Sequence, residues 1–474
     1  MASRKELTRA IERGPSGPKI GAFFDVDRTL LAGFSAAAFM RDKMATEGID
    51  LVKTVTSIGS AVRFGLNQTS FPAFVEESSG DLVGLSEEEL TEVGERVFNQ
   101  RLATDIYPES RALVEAHQRM GHTVAIISSA THFQIDALAR ELGIEHVLCT
   151  ELEFVDGKFT GKVVRPACWR EGKAKAGIAL AERCDLDLSK SYFYTDSRDD
   201  LPLLDLVGNP RLVNPDSELS QIASRNGWPV FRFQSRGRPG IREMIGFAAS
   251  MGAMGPAALV GIPAAIASGS LRRGMDMMLS TYADLSTALT GVEIQVDGEE
   301  HLWSHRPAVF IFNHQSGLDP IIMSRLLRRD VVGVAKQELR DTPIIGQLAE
   351  LAGTVFVERG DREKAIDSLR SAEEAVRQGL SIMIAPEGTR SATKRLGPFK
   401  KGAFRMAMKT GVPIVPIVLK NALDALPRHA LVIRPATIEV VVHPPISTDG
   451  WKLEDLNDHI ADVRALYEQT LADE

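Results

Sequence analysis

Three cysteines in 474 residues, Cys149, Cys168 and Cys184, are too few and too scattered for a disulfide framework. None forms a CxxC pair or a zinc spacing, so the pattern fits a reducing compartment with three small buried core residues. A secretory leader is missing too. Residues 1–19 are polar and charged and hold no apolar core, so no signal peptide is expected and the chemistry should stay on the cytoplasmic side. Positive charge is not in excess: 55 Lys and Arg face 63 Asp and Glu, a net charge of -8. That balance excludes a chain built as a whole to bind nucleic acid, although local basic patches remain. Internal repeats and low-complexity segments are absent.

What is there is length and alternation. A chain of 474 residues exceeds one hydrophobic core. Strand-like apolar runs at 21–26, 123–128, 191–195, 212–214 and 229–233 alternate with helical stretches, the pattern of a doubly wound parallel sheet over about 18–234. An insert at about 33–104 has helical character and reads as a cap over the carboxyl ends of the strands. A Gly-, Pro- and Arg-rich linker follows at 235–240. Charge then disappears: residues 244–271 contain no Asp, Glu, Lys or Arg. The run is long enough to span a bilayer, but Gly, Pro256 and Pro263 interrupt it. A shallow helical hairpin or interfacial element over 235–290 is the expectation, with a buried helix pair as its rival. A second α/β unit, 291–474, has strand-like runs at 308–312, 354–357, 381–385, 414–418 and 438–442 and a closing amphipathic helix at 451–471.

Two sets of residues carry chemistry. In the first, Asp25 and Asp27 end an apolar strand in the run Phe23-Phe24-Asp25-Val26-Asp27-Arg28-Thr29-Leu30. Strand geometry would alternate their faces, but a turn just after the strand brings both onto one ligand. Paired carboxylates there suit nucleophilic attack with acid–base work, and they suit Mg²⁺, a hard ion that prefers oxygen. Ser128 closes the run 124–127, Lys173 opens a helical stretch, and Asp196, Asp199 and Asp200 end a further strand. Singly each has a bland reading as a cap or a solvated charge. In this order, each at a strand end or helix start, they form a phosphoryl-handling set.

These four motifs resemble the haloacid dehalogenase superfamily, in its phosphoserine-phosphatase-like branch with a Rossmann-like core and a helical cap. The resemblance implies Asp25 as the nucleophile, Asp27 as general acid/base, and Ser128 and Lys173 as phosphoryl-binding residues. It implies Mg²⁺ held by Asp25, Asp196 and the Asp27 carbonyl, with Asp200 in support. Thr195 departs from the Gly that the family often has there.

The second set begins at Asn313-His314-Gln315-Ser316-Gly317-Leu318-Asp319-Pro320, after an apolar strand and before a helix at 321–327. A carboxylate bonded to one imidazole nitrogen fixes the tautomer and makes the other nitrogen the base. The free nitrogen can then take a proton from a hydroxyl that attacks a thioester directly. Companions strengthen the pattern. Pro386-Glu387-Gly388-Thr389-Arg390 follows a strand, Arg359 ends another, and Lys394, Arg395, Lys400, Lys401 and Arg405 make a basic run in an acidic protein. Arginine forks match phosphate oxygens.

Over about 291–445 these blocks resemble the glycerophospholipid acyltransferases, nearest the 1-acylglycerol-3-phosphate O-acyltransferases. The resemblance implies His314 as general base and Asp319 as its orienting partner. It implies Glu387, Gly388, Thr389 and Arg390 as glycerol-phosphate ligands, with Arg359 assisting. Ala385 stands where Phe is common. The partners implied are a lysophospholipid, acyl-CoA as co-substrate and a membrane bilayer, on the cytoplasmic face of the cell membrane. Rival readings are a non-catalytic first domain that regulates or forms a homodimer, a coupled pair of activities, a different lysophospholipid, and a membrane scaffold without catalysis.

Overall fold

The computed structural model describes residues 4–47, 69–342, 345–358, 362–428 and 430–472. The chain divides into two compact units, Met1–Arg238 and Pro239–Glu474.

The first unit is built on a parallel six-stranded sheet. In chain order its strands are β1 (Gly21–Phe24), β2 (Thr123–Thr131), β3 (His146–Thr150), β6 (Tyr192–Thr195), β7 (Asn209–Val213) and β8 (Val230–Phe231), with a separate hairpin of β4 (Leu152–Val155) and β5 (Lys158–Val163). The spatial order is β3-β2-β1-β6-β7-β8, so the chain reverses its winding between β1 and β6. That reversal opens a crevice at the carboxyl ends of those two strands. Ala22, Phe23 and Phe24 are all fully buried, as a central strand covered on both faces requires. Phe23 joins Ala125, Ile127, Phe193 and Leu212 on one face, while Phe24 stacks on Tyr194 on the other.

All five strand-like runs lie in this sheet. Strand β3 and the β4–β5 hairpin were not anticipated. In the insert, the helices Ser35–Glu47, Phe71–Ser78 and Glu87–Val97 form, and Ser86 and Glu89 make a reciprocal capping box at the start of the last. Residues 48–68 of the cap lie outside the described residues. The hairpin joins this layer, because Val163 and Leu152 pack with Phe71 and Trp169.

The second unit is a seven-stranded sheet ordered β12-β11-β13-β10-β14-β15-β9. Its strands are β9 (Val292–Asp297), β10 (Val309–Phe312), β11 (Val331–Lys336), β12 (Val355–Val357), β13 (Ser381–Ile384), β14 (Ile414–Leu419) and β15 (Ala436–Val442). Only the β14–β15 pair is antiparallel. Strand β10 is central, with Phe310 and Phe312 in the core on one face and Val309 and Ile311 on the other. The expected strands are present, and β9 and β11 are additions. The closing helix is Leu456–Ala472, later than expected at its start because Trp451 lies in the preceding loop.

The charge-free segment folds as the helices Ile241–Gly252 and Met254–Ser268, joined at Ala253. Gly269, at φ +65°, turns the chain into the helix Leu271–Thr290. The last two helices lie close, since a Cβ on Gly261 would stand 2.6 Å from the Gly274 carbonyl oxygen. The expected hairpin is therefore one apolar arm packed on one amphipathic arm. Taken as one 28-residue span, Ile241–Ser268 is long and apolar enough to cross a membrane, and only 22% of its most apolar stretch is buried.

Candidate active sites

In the first unit, register brings the chemistry together. Phe24 pairs with Ile126 of β2 and Tyr194 of β6, so Asp25 ends level with Ile127 and Thr195 at the carboxyl end of the strands. The Asp25 N–H donates to the Tyr194 carbonyl at 2.9 Å, and the residue is 6% exposed. From the helix Glu171–Cys184, the buried Lys173 ammonium donates to Asp25 Oδ1 at 2.7 Å and to Asp200 Oδ2 at 2.9 Å. Thr195 Oγ1 donates to that same Asp200 oxygen at 2.6 Å. Asp196 pairs with Arg28 at 3.1 Å, and Ser128 is buried at the neighbouring end of β2. Asp27 turns the other way: its Oδ1 accepts the Ser35 N–H at 2.7 Å, at the first residue of a cap helix.

Three carboxylates (Asp25, Asp196, Asp200) thus meet two cations, Lys173 and Arg28, with Asp27 bonded to Ser35. Burial pushes the Asp25 carboxyl up to about 8 against the pull of Lys173, and Asp200 and Asp196 push the same way. Asp196 rises to about 7, chiefly through burial, with Arg28 opposing. Burial also raises Asp27, against its bonds from Ser35. Burial works against the Lys173 charge, but Asp200 and Asp25 outweigh it and hold the ammonium charged. Hard oxygens with an uncompensated negative excess fit a divalent cation. Among the described residues no three such side chains form a ready-made cage. Mg²⁺ does not need one, since it takes one or two carboxylates and keeps several waters.

In the second unit, β10 ends directly before His314. The imidazole Nδ1 lies 2.8 Å from Asp319 Oδ2. That oxygen also accepts the N–H groups of Gln315 and Ser316, each at 2.9 Å. An oxygen that already accepts two main-chain donors is placed to accept Nδ1–H as well, which leaves Nε2 as the free base. Asp319 is fully buried, while the His314 side chain is 22% exposed.

The 385–391 loop leaves the adjacent strand β13 and closes on the same place. Ser391 N–H donates to the His314 carbonyl at 2.8 Å. A Cβ on Gly317 would stand 3.2 Å from Arg390 Nη1, so that guanidinium lies beside the His314–Asp319 loop. Gly388, at φ +71°, adopts a left-handed turn, and a Cβ there would meet Lys400 Nζ at 2.9 Å. Thr389 is exposed on this turn. Arg359 lies outside the described residues.

Glu387, which the sequence reading gives as a glycerol-phosphate ligand, is bonded within the protein. It is 3% exposed, and both of its oxygens are taken: Oε1 by the His314 N–H at 2.8 Å and Oε2 by the Gly397 N–H at 2.7 Å. Its carboxylate ties the two loops together. Burial raises its pKa against those two bonds. Sequence reasoning also passed over Arg28 and Asn313. Asn313 bridges to both main-chain groups of Leu419, at 2.7 and 2.9 Å, and fixes the strand end before His314. Its place in the motif was the available signal. Arg28 had none, because its partner is distant in sequence.

Comparison with known proteins follows the same division. Residues 22–205 match the family of haloacid dehalogenase-like hydrolases, and residues 293–420 match the acyltransferase family. A histidinol-phosphatase of Neisseria meningitidis is 34% identical over 218 residues, 45% of this chain and 98% of that protein. A phosphoserine phosphatase of Mycobacterium tuberculosis is 33% identical over 240 residues, 49% of this chain and 78% of that one. A 1-acyl-sn-glycerol-3-phosphate acyltransferase of Cocos nucifera is 39% identical over 180 residues, 38% of this chain. The chain spans only 58% of the length of that acyltransferase.

Proposed function

The chain belongs to the haloacid dehalogenase-like hydrolases through its first half and carries an acyltransferase domain in its second, and from that premise we propose a bifunctional enzyme of phospholipid metabolism. The second unit acylates a lysophospholipid, 1-acyl-sn-glycerol 3-phosphate, with acyl-CoA as donor. The observation that carries this reading is the His314–Asp319 pair at 2.8 Å beside the Arg390 guanidinium. Asp319 holds the ring in one tautomer. His314 Nε2 takes the proton of the free glycerol hydroxyl as that oxygen attacks the thioester carbonyl, and the CoA thiolate leaves. Arg390, with Lys400 over the Gly388 turn, is suited to the phosphate of the acceptor. His314→Ala is expected to abolish phosphatidate formation, read by mass spectrometry, while the protein stays folded by circular dichroism. Activity near wild type in that variant would reject the assignment.

The first unit hydrolyses small phosphomonoesters. Asp25, held by Lys173, is the nucleophile, and Asp27 is the acid and base. Mg²⁺ would be held by Asp25, Asp196 and the Asp27 carbonyl, where it supplies charge neutralisation for the phosphoryl group. Lys173 and Ser128 bind that group from the protein side. The names of the two phosphatase relatives differ in substrate, which supports the class rather than one compound. Asp25→Asn is expected to end Mg²⁺-dependent phosphate release. The exposed apolar helices at 241–268 seat the enzyme on the cytoplasmic face of the cell membrane, where its acceptor lipid is dissolved.

A further inference from the structure

The helix Leu456–Ala472 lies beyond the matched acyltransferase segment, which ends at residue 420. Two of its side chains nevertheless bond to segments that connect with the His314 loop. Arg464 donates through Nη2 to the Leu396 carbonyl at 3.1 Å and through Nη1 to the Gly397 carbonyl. The Gly397 N–H donates to Glu387 Oε2 at 2.7 Å, and the other oxygen of Glu387 accepts the His314 N–H at 2.8 Å. One step along the same helix face, the Tyr467 hydroxyl donates to the Ile311 carbonyl at 2.7 Å and accepts the Ile417 N–H at 3.2 Å. It thus enters the ladder between β10 and β14 just before His314. Phe399 is packed by both residues, edge-to-face with Tyr467 at 5.3 Å and beneath Arg464 at 5.9 Å.

We infer that Arg464 is a positioning residue for His314, acting through the relay Gly397–Glu387. The inference rests on the acyl-transfer reading of that site. The chemistry is specific to a fork. A planar guanidinium satisfies two successive carbonyls at once and fixes the loop that presents the Gly397 N–H. A single ammonium can hold one carbonyl well. The buried Glu387 carboxylate has no solvent to replace a lost N–H, so slack at Gly397 is passed to the main chain of His314. Arg464 touches no reacting atom. Its Nε pairs with Glu468 at 2.8 Å and its side chain is 32% exposed, so loss of the head group leaves the core intact.

The test uses the full chain with Arg464→Met, which keeps the aliphatic stem over Phe399, and Arg464→Lys. Acyl transfer from oleoyl-CoA to 1-oleoyl-glycerol 3-phosphate is measured with melting temperature and with NMR of isotope-labelled histidine. Expected for Arg464→Met is a fall in kcat of about tenfold to a hundredfold, as for a displaced catalytic group. Neither KM should move beyond about twofold, Arg464→Lys should recover part of the loss, and the His314 imidazole signal should shift while that of His117 stays. Unchanged kcat with an unmoved His314 signal overturns the inference, and so does a loss that tracks the melting temperature. Should the wild type prove inactive, the acyl-transfer reading fails, and the His314 signal alone decides the coupling.

Discussion

Asp319 does three things with one oxygen. Its Oδ2 accepts the imidazole N–H and two main-chain N–H groups, while the carboxylate is fully buried. Asp319→Asn puts an amide where three donors converge and frees the ring to take the wrong tautomer. We expect kcat for acyl transfer to fall by about 10² to 10⁴, as when a triad aspartate is amidated. Stability should fall by about 1–3 kcal/mol, the cost of unsatisfied buried donors. Steady-state kinetics with denaturant melts would check both; a kcat within twofold of wild type contradicts the role.

At the other site, the carboxyls of Asp25 and Asp196 stand at about 8 and about 7. A raised acid keeps in the folded state a proton that the unfolded chain has shed. The metal-free first unit therefore loses stability as pH rises from about 4 towards 8. Mg²⁺ would take the Asp25 and Asp196 carboxyls in their ionised form. Its affinity should rise through neutral pH with release of protons, seen by calorimetry in buffers of different ionisation heat. Affinity flat across that range would contradict the electrostatics described.

The sequence displayed Asp25, Ser128, Lys173 and Asp196 because each closes a strand or opens a helix. It concealed the ion pair of Arg28 with Asp196 and the main-chain duty of Glu387. Both depend on contacts across the fold, which no local spacing encodes.

Among the elements, the charge-free helices were legible by composition, and they are exposed rather than a buried pair. Ile245, Leu259, Ile262 and Ile266 are 63%, 77%, 58% and 78% exposed. An apolar face of this kind marks an interaction surface. Replacing Leu259 and Ile266 together by Asp should strip the protein from phospholipid vesicles in a flotation assay while leaving its melting temperature within a few degrees. Retained flotation would show that another surface holds the membrane.

Strands announced themselves where both faces are buried, as in Val309–Phe312. They were missed where the pattern is mixed. Strand β9, VEIQVD, alternates apolar and polar residues at the sheet edge, and β11 is interrupted by Gly333. The β4–β5 hairpin has only one well-covered strand, and its meaning lies in packing on Phe71 from the distant insert.

At the scale of the whole molecule, two sets of chemical groups reside in two units, each with its own sheet and core. The division near residue 238 follows the Gly- and Pro-rich stretch that the sequence marks. Each reaction should then survive loss of the other. The decisive measurement is one mass-spectrometric assay of wild type, Asp25→Asn and His314→Ala, given lysophosphatidate, acyl-CoA, Mg²⁺ and a panel of phosphomonoesters. Asp25→Asn should still make phosphatidate and release no phosphate, and His314→Ala should do the reverse. Phosphatidate formed by His314→Ala at the wild-type rate would contradict the account at its centre.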